Sequence, residues 1–162
     1  MTEPSASRPF VPEYGISESA EGMLPWSWAA ERLERSHNYY LATTRGDGRP
    51  HVAPVWGLWL AGQFLFSTGA TSRKAKNLRA NSNCVVTTED LAEAVILEGV
   101  ASVVIDSGLL KDFVDAYKQK YDWEMEGHPG GIWAVTPRKA FGFQESEFEG
   151  ASTRWEWVAD RG

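Results

Sequence analysis

The sequence predicts a mainly β domain of α+β type, an antiparallel barrel with helices packed on its outside. Three observations predict it. After residue 38 the chain is dominated by short runs rich in β-branched and aromatic residues, such as YYLATTR (Tyr39 to Arg45) and AVILEGVASVVI (Ala94 to Ile105). These runs are joined mainly by short turns. No strand–helix–strand rhythm repeats, which argues against a doubly wound sheet.

The elements follow in order. Met1 to Gly22 is rich in Pro, Ser and Glu with few apolar anchors, so residues 1–22 read as an N-terminal tail or loosely docked arm. Residues 23–162 read as one domain. Pro25 suits the first position of a helix, on which Trp26, Ala29, Ala30 and Leu33 share a face and Glu31 can pair with Arg35. Tyr39 to Arg45 is a strand, and Gly46-Asp47-Gly48 is a turn. His51 to Leu60 is a second strand, expected to be irregular because Pro54 and Gly57 lie inside it. Ala61-Gly62 turns the chain into Gln63 to Ser67.

Thr71 to Asn81 has the pattern of a short helix and Cys84 to Glu89 that of a strand. Ala94 to Ile105 is a long strand with a bulge expected at Gly99. Ser107 to Tyr121 is an amphipathic helix with Leu110, Phe113, Val114 and Tyr117 on one face. Met125 to Gly131 is a loop. Ile132 to Val135, Ala140 to Gln144 and Ser152 to Val158 are the closing strands. In the last of them Thr153, Trp155 and Trp157 alternate with Arg154, Glu156 and Val158.

Composition narrows the function. The 162 residues are 43% hydrophobic and 23% charged, the balance of one globular domain. A net charge of −6 argues against a general nucleic-acid or membrane-surface binder. The opening MTEPSASRPFVPEY lacks the basic start and apolar stretch of a secretory signal, and the single Cys84 excludes an intrachain disulfide. A cytoplasmic location is therefore expected. Cys84 stands in an apolar run, as a buried inert thiol does. His37, His51 and His128 have no metal-ligand spacing, so no metal is expected, and His51 reads as a partly buried structural histidine. Glu98, inside an apolar strand, calls for a salt bridge or a bulge-exposed position.

Ser67 to Leu78, STGATSRKAKNL, carries the chemistry. A strand ends in a loop of hydroxyls and a glycine that opens onto a helix, where free N–H groups make a ready anion site. Arg73, Lys74 and Lys76 sit at the end of the helix where positive charge opposes the dipole, a mismatch of about 0.3–1 kcal/mol each at an exposed site. A bound anion reverses that sign. The residues alone equally allow Ser72 as an ordinary N-cap with solvated cations behind it. GxxxxGK[ST] and GxGxxG are both absent.

With these residues in view, the chain resembles the pyridoxamine phosphate oxidase-like superfamily of flavin and deazaflavin proteins, and within it the branch of coenzyme F-420 dependent oxidoreductases. The stretches that carry the likeness are YLATTRGDGRPHVAPVWGLW (Tyr40 to Trp59), FLFSTGATSRKAKNLRANSNCVV (Phe64 to Val86), LEGVASVV (Leu97 to Val104), KYDW (Lys120 to Trp123) and STRWEW (Ser152 to Trp157). The resemblance implies a Greek-key split β-barrel and a homodimer with shared cofactor sites. It implies a ring along Pro54, Val55, Trp56 and Gly57, and a phosphate held by Thr68, Ser72, Arg73 and Lys74, with Asn77 beside them. Arg154 is expected to close over the cofactor edge or an anionic substrate, from its own or the second subunit. For the side chain of Trp56, core or dimer packing is the alternative.

The function this implies is an oxidoreductase, a reductase rather than an oxidase, that moves a hydride between F-420 (favoured) or FMN and a small conjugated substrate. The alternative is a non-catalytic flavin, F-420 or haem binding or sensor module. The chain departs from the oxidase proper in lacking an Arg-x-His pattern near its end, where Thr153-Arg154-Trp155 stands, so oxidation of vitamin B6 is not expected.

Overall fold

The computed structural model describes residues 3–125 and 131–158. It contains nine strands and four α-helices among them. The strands are β1 (Ser5–Ser7), β2 (Tyr39–Thr44), β3 (Pro50–Val55), β4 (Leu58–Leu60), β5 (Gln63–Ser67), β6 (Asn83–Thr88), β7 (Glu93–Val103), β8 (Ile132–Gln144) and β9 (Thr153–Glu156). The helices are α1 (Trp26–Arg35), α2 (Arg73–Ala80), α3 (Ser107–Tyr121) and the short α4 (Phe148–Ala151). No helix among the described residues is long and apolar enough to cross a membrane.

All pairings are antiparallel, in the order β1-β9-β8-β7-β6-β2-β3. The barrel comes from β8, which changes partner along one edge. Its first residues pair with β5 (Phe66 opposite Trp133) and its later ones with β9 (Ala140 opposite Trp155). β5 pairs β4, and β4 is joined to β3 only through Trp56 and Gly57. The barrel wall is thus split at that junction.

The expected strand His51 to Leu60 is two strands, broken at Trp56-Gly57. Pro54 stays inside β3, paired with Tyr40, because β3 has a neighbour on one side only and its missing N–H leaves no gap in the ladder. The expected pair Ile132 to Val135 and Ala140 to Gln144 is corrected to one strand, β8, that runs through Pro137. Pro137 falls between the β5 and β9 pairings, where no donor is needed. The expected irregularity at Gly99 is present: Glu98 faces Lys139 and Gly99 faces Pro137, which leaves Arg138 as the extra residue. A Cβ on Gly99 would stand 2.4 Å from the Thr136 carbonyl, so only glycine fits there. Glu98 takes the bulge-exposed position.

The tight turn at Ala61-Gly62 has φ of 52° and 73°, the conformation two-residue hairpins need. Two apolar clusters form on the two sides of β5. Phe64 and Phe66 point into the barrel with Leu41, Val86, Leu97 and Trp155. Leu65 points outward, beneath Phe113, Tyr117 and Tyr121 of α3. Full burial of each such phenylalanine or leucine stabilises the fold by about 1.5–3 kcal/mol. Cys84 is buried among the first cluster, and burial pushes its thiol up to about 12, the property of an inert side chain.

The N-terminal arm is docked rather than loose. β1 pairs with β9, and the Arg8 guanidinium donates to the carbonyls of Ser19, Glu21, Gly150 and Ser152 at 2.7–2.9 Å.

Candidate functional site

A groove of about 450 Å³ lies beside the split, lined by Asn38, Pro54, Val55, Trp56, Ser67, Lys74 and Tyr117. Its two ends differ in chemistry. At one end α2 begins. Ser72 is the N-cap, and its hydroxyl accepts the Ala75 N–H at 3.2 Å and lies 3.0 Å from the Thr68 hydroxyl. Arg79 reaches back to the Ala70 carbonyl at 2.7 Å and closes the loop onto the helix. Arg73 is exposed and Lys74 half-buried, and neither has a carboxylate partner among the described residues. Lys74 faces the groove. Burial, then the charges of Arg45, Lys74 and Arg73, hold the His51 imidazole below its ordinary pKa, and its Nδ1 is buried with no hydrogen-bond partner among the described residues. His51 is half-buried, as expected, but it belongs to a basic cluster.

At the other end stands the Trp56 indole. One face is covered by the Tyr121 ring, parallel to within 6° at 4.6 Å between centroids. The His37 ring meets the indole edge-on at 5.8 Å, and the Trp56 Nε1–H donates to Asn38 Oδ1 at 3.2 Å. Asn38 in turn donates its side-chain amide to Glu89 at 2.8 Å. That bond and the backbone N–H groups of Asn38 and His37 hold the Glu89 carboxyl below the usual carboxylate range.

Behind Trp56 the backbone is held by α3. The Tyr121 hydroxyl accepts the Gly57 N–H at 2.9 Å and lies 2.8 Å from the carbonyls of His37 and Gly57, either of which takes its proton. The Lys120 ammonium donates to Tyr39 Oη (2.8 Å), the Glu34 carbonyl (3.1 Å) and the Gly57 carbonyl (3.2 Å). Burial pulls the Lys120 pKa down to about 8 and pushes Tyr121 up to about 12. Tyr39, more deeply buried, is also pushed up.

The structure thus brings together Pro54, Val55, Trp56 and Lys74 on one groove, with Thr68, Ser72 and Arg73 at the helix start beside it. Gly57 does not line it: the residue is buried and both its polar groups are bonded to α3. Asn77 is buried and turned away, donating to Thr43 Oγ1 at 2.9 Å. Arg154 lies on β9, away from the groove of its own chain, where it pairs with Glu156 at 2.5 Å. Sequence reasoning missed Asn38, Tyr117, Lys120 and Tyr121 as members of the site. The signal available was Phe113, Tyr117 and Tyr121 at helical spacing, which reads as a core face; the two tyrosines do pack there, while Tyr121 also meets the split with its ring face and hydroxyl and Tyr117 lines the groove.

Comparison with known proteins agrees with this fold. The family model for pyridoxamine 5'-phosphate oxidase matches residues 28–144. A search of curated proteins found no match. Among solved structures, a conserved hypothetical protein of Mycobacterium tuberculosis superimposes with a TM-score of 0.68 at 21% identity, over 80% of this chain and 91% of that one. An F-420 reductase superimposes with a TM-score of 0.55 at 22% identity, over 75% and 98% of the two chains. The haem storage protein HutZ of Vibrio cholerae gives a TM-score of 0.59 at 19% identity, over 68% and 87%. Likeness at these identities is likeness of fold. The family model covers more than two-thirds of the chain and ends with β8, and on that match the chain belongs to the pyridoxamine 5'-phosphate oxidase family.

Proposed function

We propose that this chain is an oxidoreductase that binds F-420 or FMN in the groove beside the split and works as a reductase on a small conjugated substrate. The observation that carries the reading is the polarity of the groove: the Lys74 ammonium, with no carboxylate partner among the described residues, at one end and the partly exposed Trp56 indole at the other. A planar ring on a phosphate-bearing arm has the matching polarity. The free N–H groups at the start of α2 add donors for the phosphate, and Arg73 and Lys74 add charge that a bound dianion turns from destabilising to stabilising. When bound, such a cofactor supplies the hydride chemistry. Pro54 and Val55 wall the groove along its length, and the apolar body of Tyr117 helps exclude water. The F-420 reductase among the structural neighbours supports F-420 over FMN as the first cofactor to test.

The proposal includes a homodimer. The outward face of β2 and β3 leaves Tyr40 49% and Val52 59% exposed, on paired strands beside the groove. A second copy seated there would cover them and complete the site. Arg154 enters this reading only through such a second copy. A haem-binding module is the second reading, favoured by the structural likeness to the haem storage protein.

Titration of the purified protein with F-420, FMN and haemin, followed by fluorescence and absorption, tests the reading. Binding of F-420 or FMN that weakens about tenfold in Lys74→Ala supports it. Failure to bind both overturns it, and haemin binding alone supports the second reading.

A further inference from the structure

Three tyrosines meet near the split, and two of their hydroxyls are bonded to the protein. Tyr39 Oη donates to the Leu33 carbonyl, and Tyr121 Oη is tied to the backbone of His37 and Gly57. The Tyr117 hydroxyl makes no hydrogen bond among the described residues, and burial alone raises its pKa. Its ring is nevertheless fixed. Phe113 and Tyr121 lie 5.3 and 4.8 Å away between centroids, Trp56 lies 6.3 Å away, and the residue is only 8% exposed. A phenol this buried ordinarily finds a partner for its proton. The fully enclosed side-chain atoms without a partner are on His51, Trp133, Arg154 and Trp155, so the Tyr117 oxygen keeps an opening. The open space that Tyr117 borders is the groove. The other side-chain donors at this half of the groove are engaged: Trp56 with Asn38, Asn38 with Glu89, and Lys120 with Tyr39, Glu34 and Gly57.

We infer that the Tyr117 hydroxyl is the specificity-determining donor of the groove, holding the carbonyl oxygen of a neutral conjugated ketone in preference to a carboxylate. A carboxylate placed there would lose its water for one neutral donor, a larger cost than a ketone bears. The cation that lines the groove, Lys74, stands at the other end. The hydrogen bond itself needs no cofactor, and its use in reduction rests on the reading above. In that use the β carbon of the ketone accepts the hydride that the reduced cofactor gives up, so the ketone is reduced and the cofactor oxidised. The electron pair of the C=C bond moves onto the carbonyl oxygen, where the Tyr117 O–H stabilises the enolate. A solvent proton at the α carbon completes the saturated ketone. Burial disfavours the phenolate, so Tyr117 keeps its proton throughout.

The test uses benzalacetone, a conjugated ketone, and cinnamate, the carboxylate on the same skeleton. Each is titrated into the chain carrying 13C at the tyrosine ζ carbons, with and without oxidised F-420 or FMN. The Tyr117 resonance is identified by its contacts with the Phe113 ring protons, so this arm needs no variant. The expected result is a Tyr117 shift that saturates with benzalacetone and is absent with cinnamate. Tyr117→Phe, checked for fold by circular dichroism, is expected to weaken benzalacetone binding about 2- to 10-fold. No saturable Tyr117 shift, unchanged ketone affinity in Tyr117→Phe, or cinnamate bound as well as the ketone overturns the inference. A loss of cofactor affinity equal to that of the ketone also overturns it, because the hydroxyl then serves the cofactor. Tyr117-dependent ketone binding in a chain that binds neither F-420 nor FMN leaves the donor standing and removes the cofactor reading. Cofactor binding with ketone binding that ignores Tyr117 does the reverse.

Discussion

A methyl group on Gly57 would stand 2.2 Å from Cζ of Phe64. The break in the barrel wall is therefore set by core packing: Phe64 fills the space a side chain would need, and the Leu65 carbonyl, 2.8 Å from the same point, closes it further. Gly57→Ala must push back either a buried ring or the backbone of β5. The variant is expected to lose about 2–3 kcal/mol of stability. Urea unfolding with an unchanged m-value is the measurement, and a loss below 0.5 kcal/mol, within the range of a neutral surface change, would contradict the packing account.

Lys120 makes stability depend on pH in a definite direction. Its pKa in the fold, about 8, lies below the ordinary 10.5, so between those values the unfolded chain binds more protons than the folded one. Stability from this group is lowest below pH 8 and rises between about pH 8 and 10.5. Tyr39 and Tyr121 act the other way: their pKa values are raised from 10.0, so their contribution is complete below pH 10 and is lost above it. The difference in unfolding free energy between the native chain and Lys120→Met is expected to shift in favour of the native chain from pH 7.5 to about 9.5, a window that lies below the tyrosine transitions. A difference that is flat with pH would show that the ammonium is not penalised by burial.

His51 reports on the basic cluster. Its pKa is held down by burial and by Arg45, Lys74 and Arg73. A phosphate dianion bound at the start of α2 offsets those charges, so saturating inorganic phosphate is expected to raise the His51 pKa. NMR titration of the imidazole, compared with a chloride control at equal ionic strength, measures it. No shift beyond the control would place any bound anion elsewhere.

Arg8 is the bolt of the N-terminal arm. Arg8→Ala removes bonds to four carbonyls in two segments, which water can partly replace. The expected result is rapid limited proteolysis within residues 9–22 and a loss of about 1–3 kcal/mol. Cleavage no faster than in the native chain would mean that the β1–β9 pairing alone secures the arm.

Local patterns made much of this fold legible. The alternation of Thr153 and Trp155 with Arg154 and Glu156, the glycine at the β7 bulge and the apolar face of α3 each follow from residues close in sequence, and each is where the pattern puts it. The junction of β3 and β4 was half legible: a glycine announced a break, but its cause, Phe64, comes from the next hairpin. The continuity of β8 was hidden because Pro137 forbids a strand unless a neighbouring edge lacks a partner at that point, a fact of topology. The basic helix start at one end of the groove was legible because one segment supplies it. At the other end the resemblance supplied Trp56 but not its supports, because Asn38, Glu89 and Tyr121 come from three separate segments and meet only in the fold.

The most direct test of the central claim is consumption of reduced F-420 and reduced FMN in the presence of a panel of conjugated acceptors, with the native chain and with Lys74→Ala. The account predicts consumption well above that of free cofactor for at least one pair, falling about tenfold in the variant at sub-saturating cofactor. Tight cofactor binding with no consumption across the panel would contradict it and leave a carrier or sensor in its place.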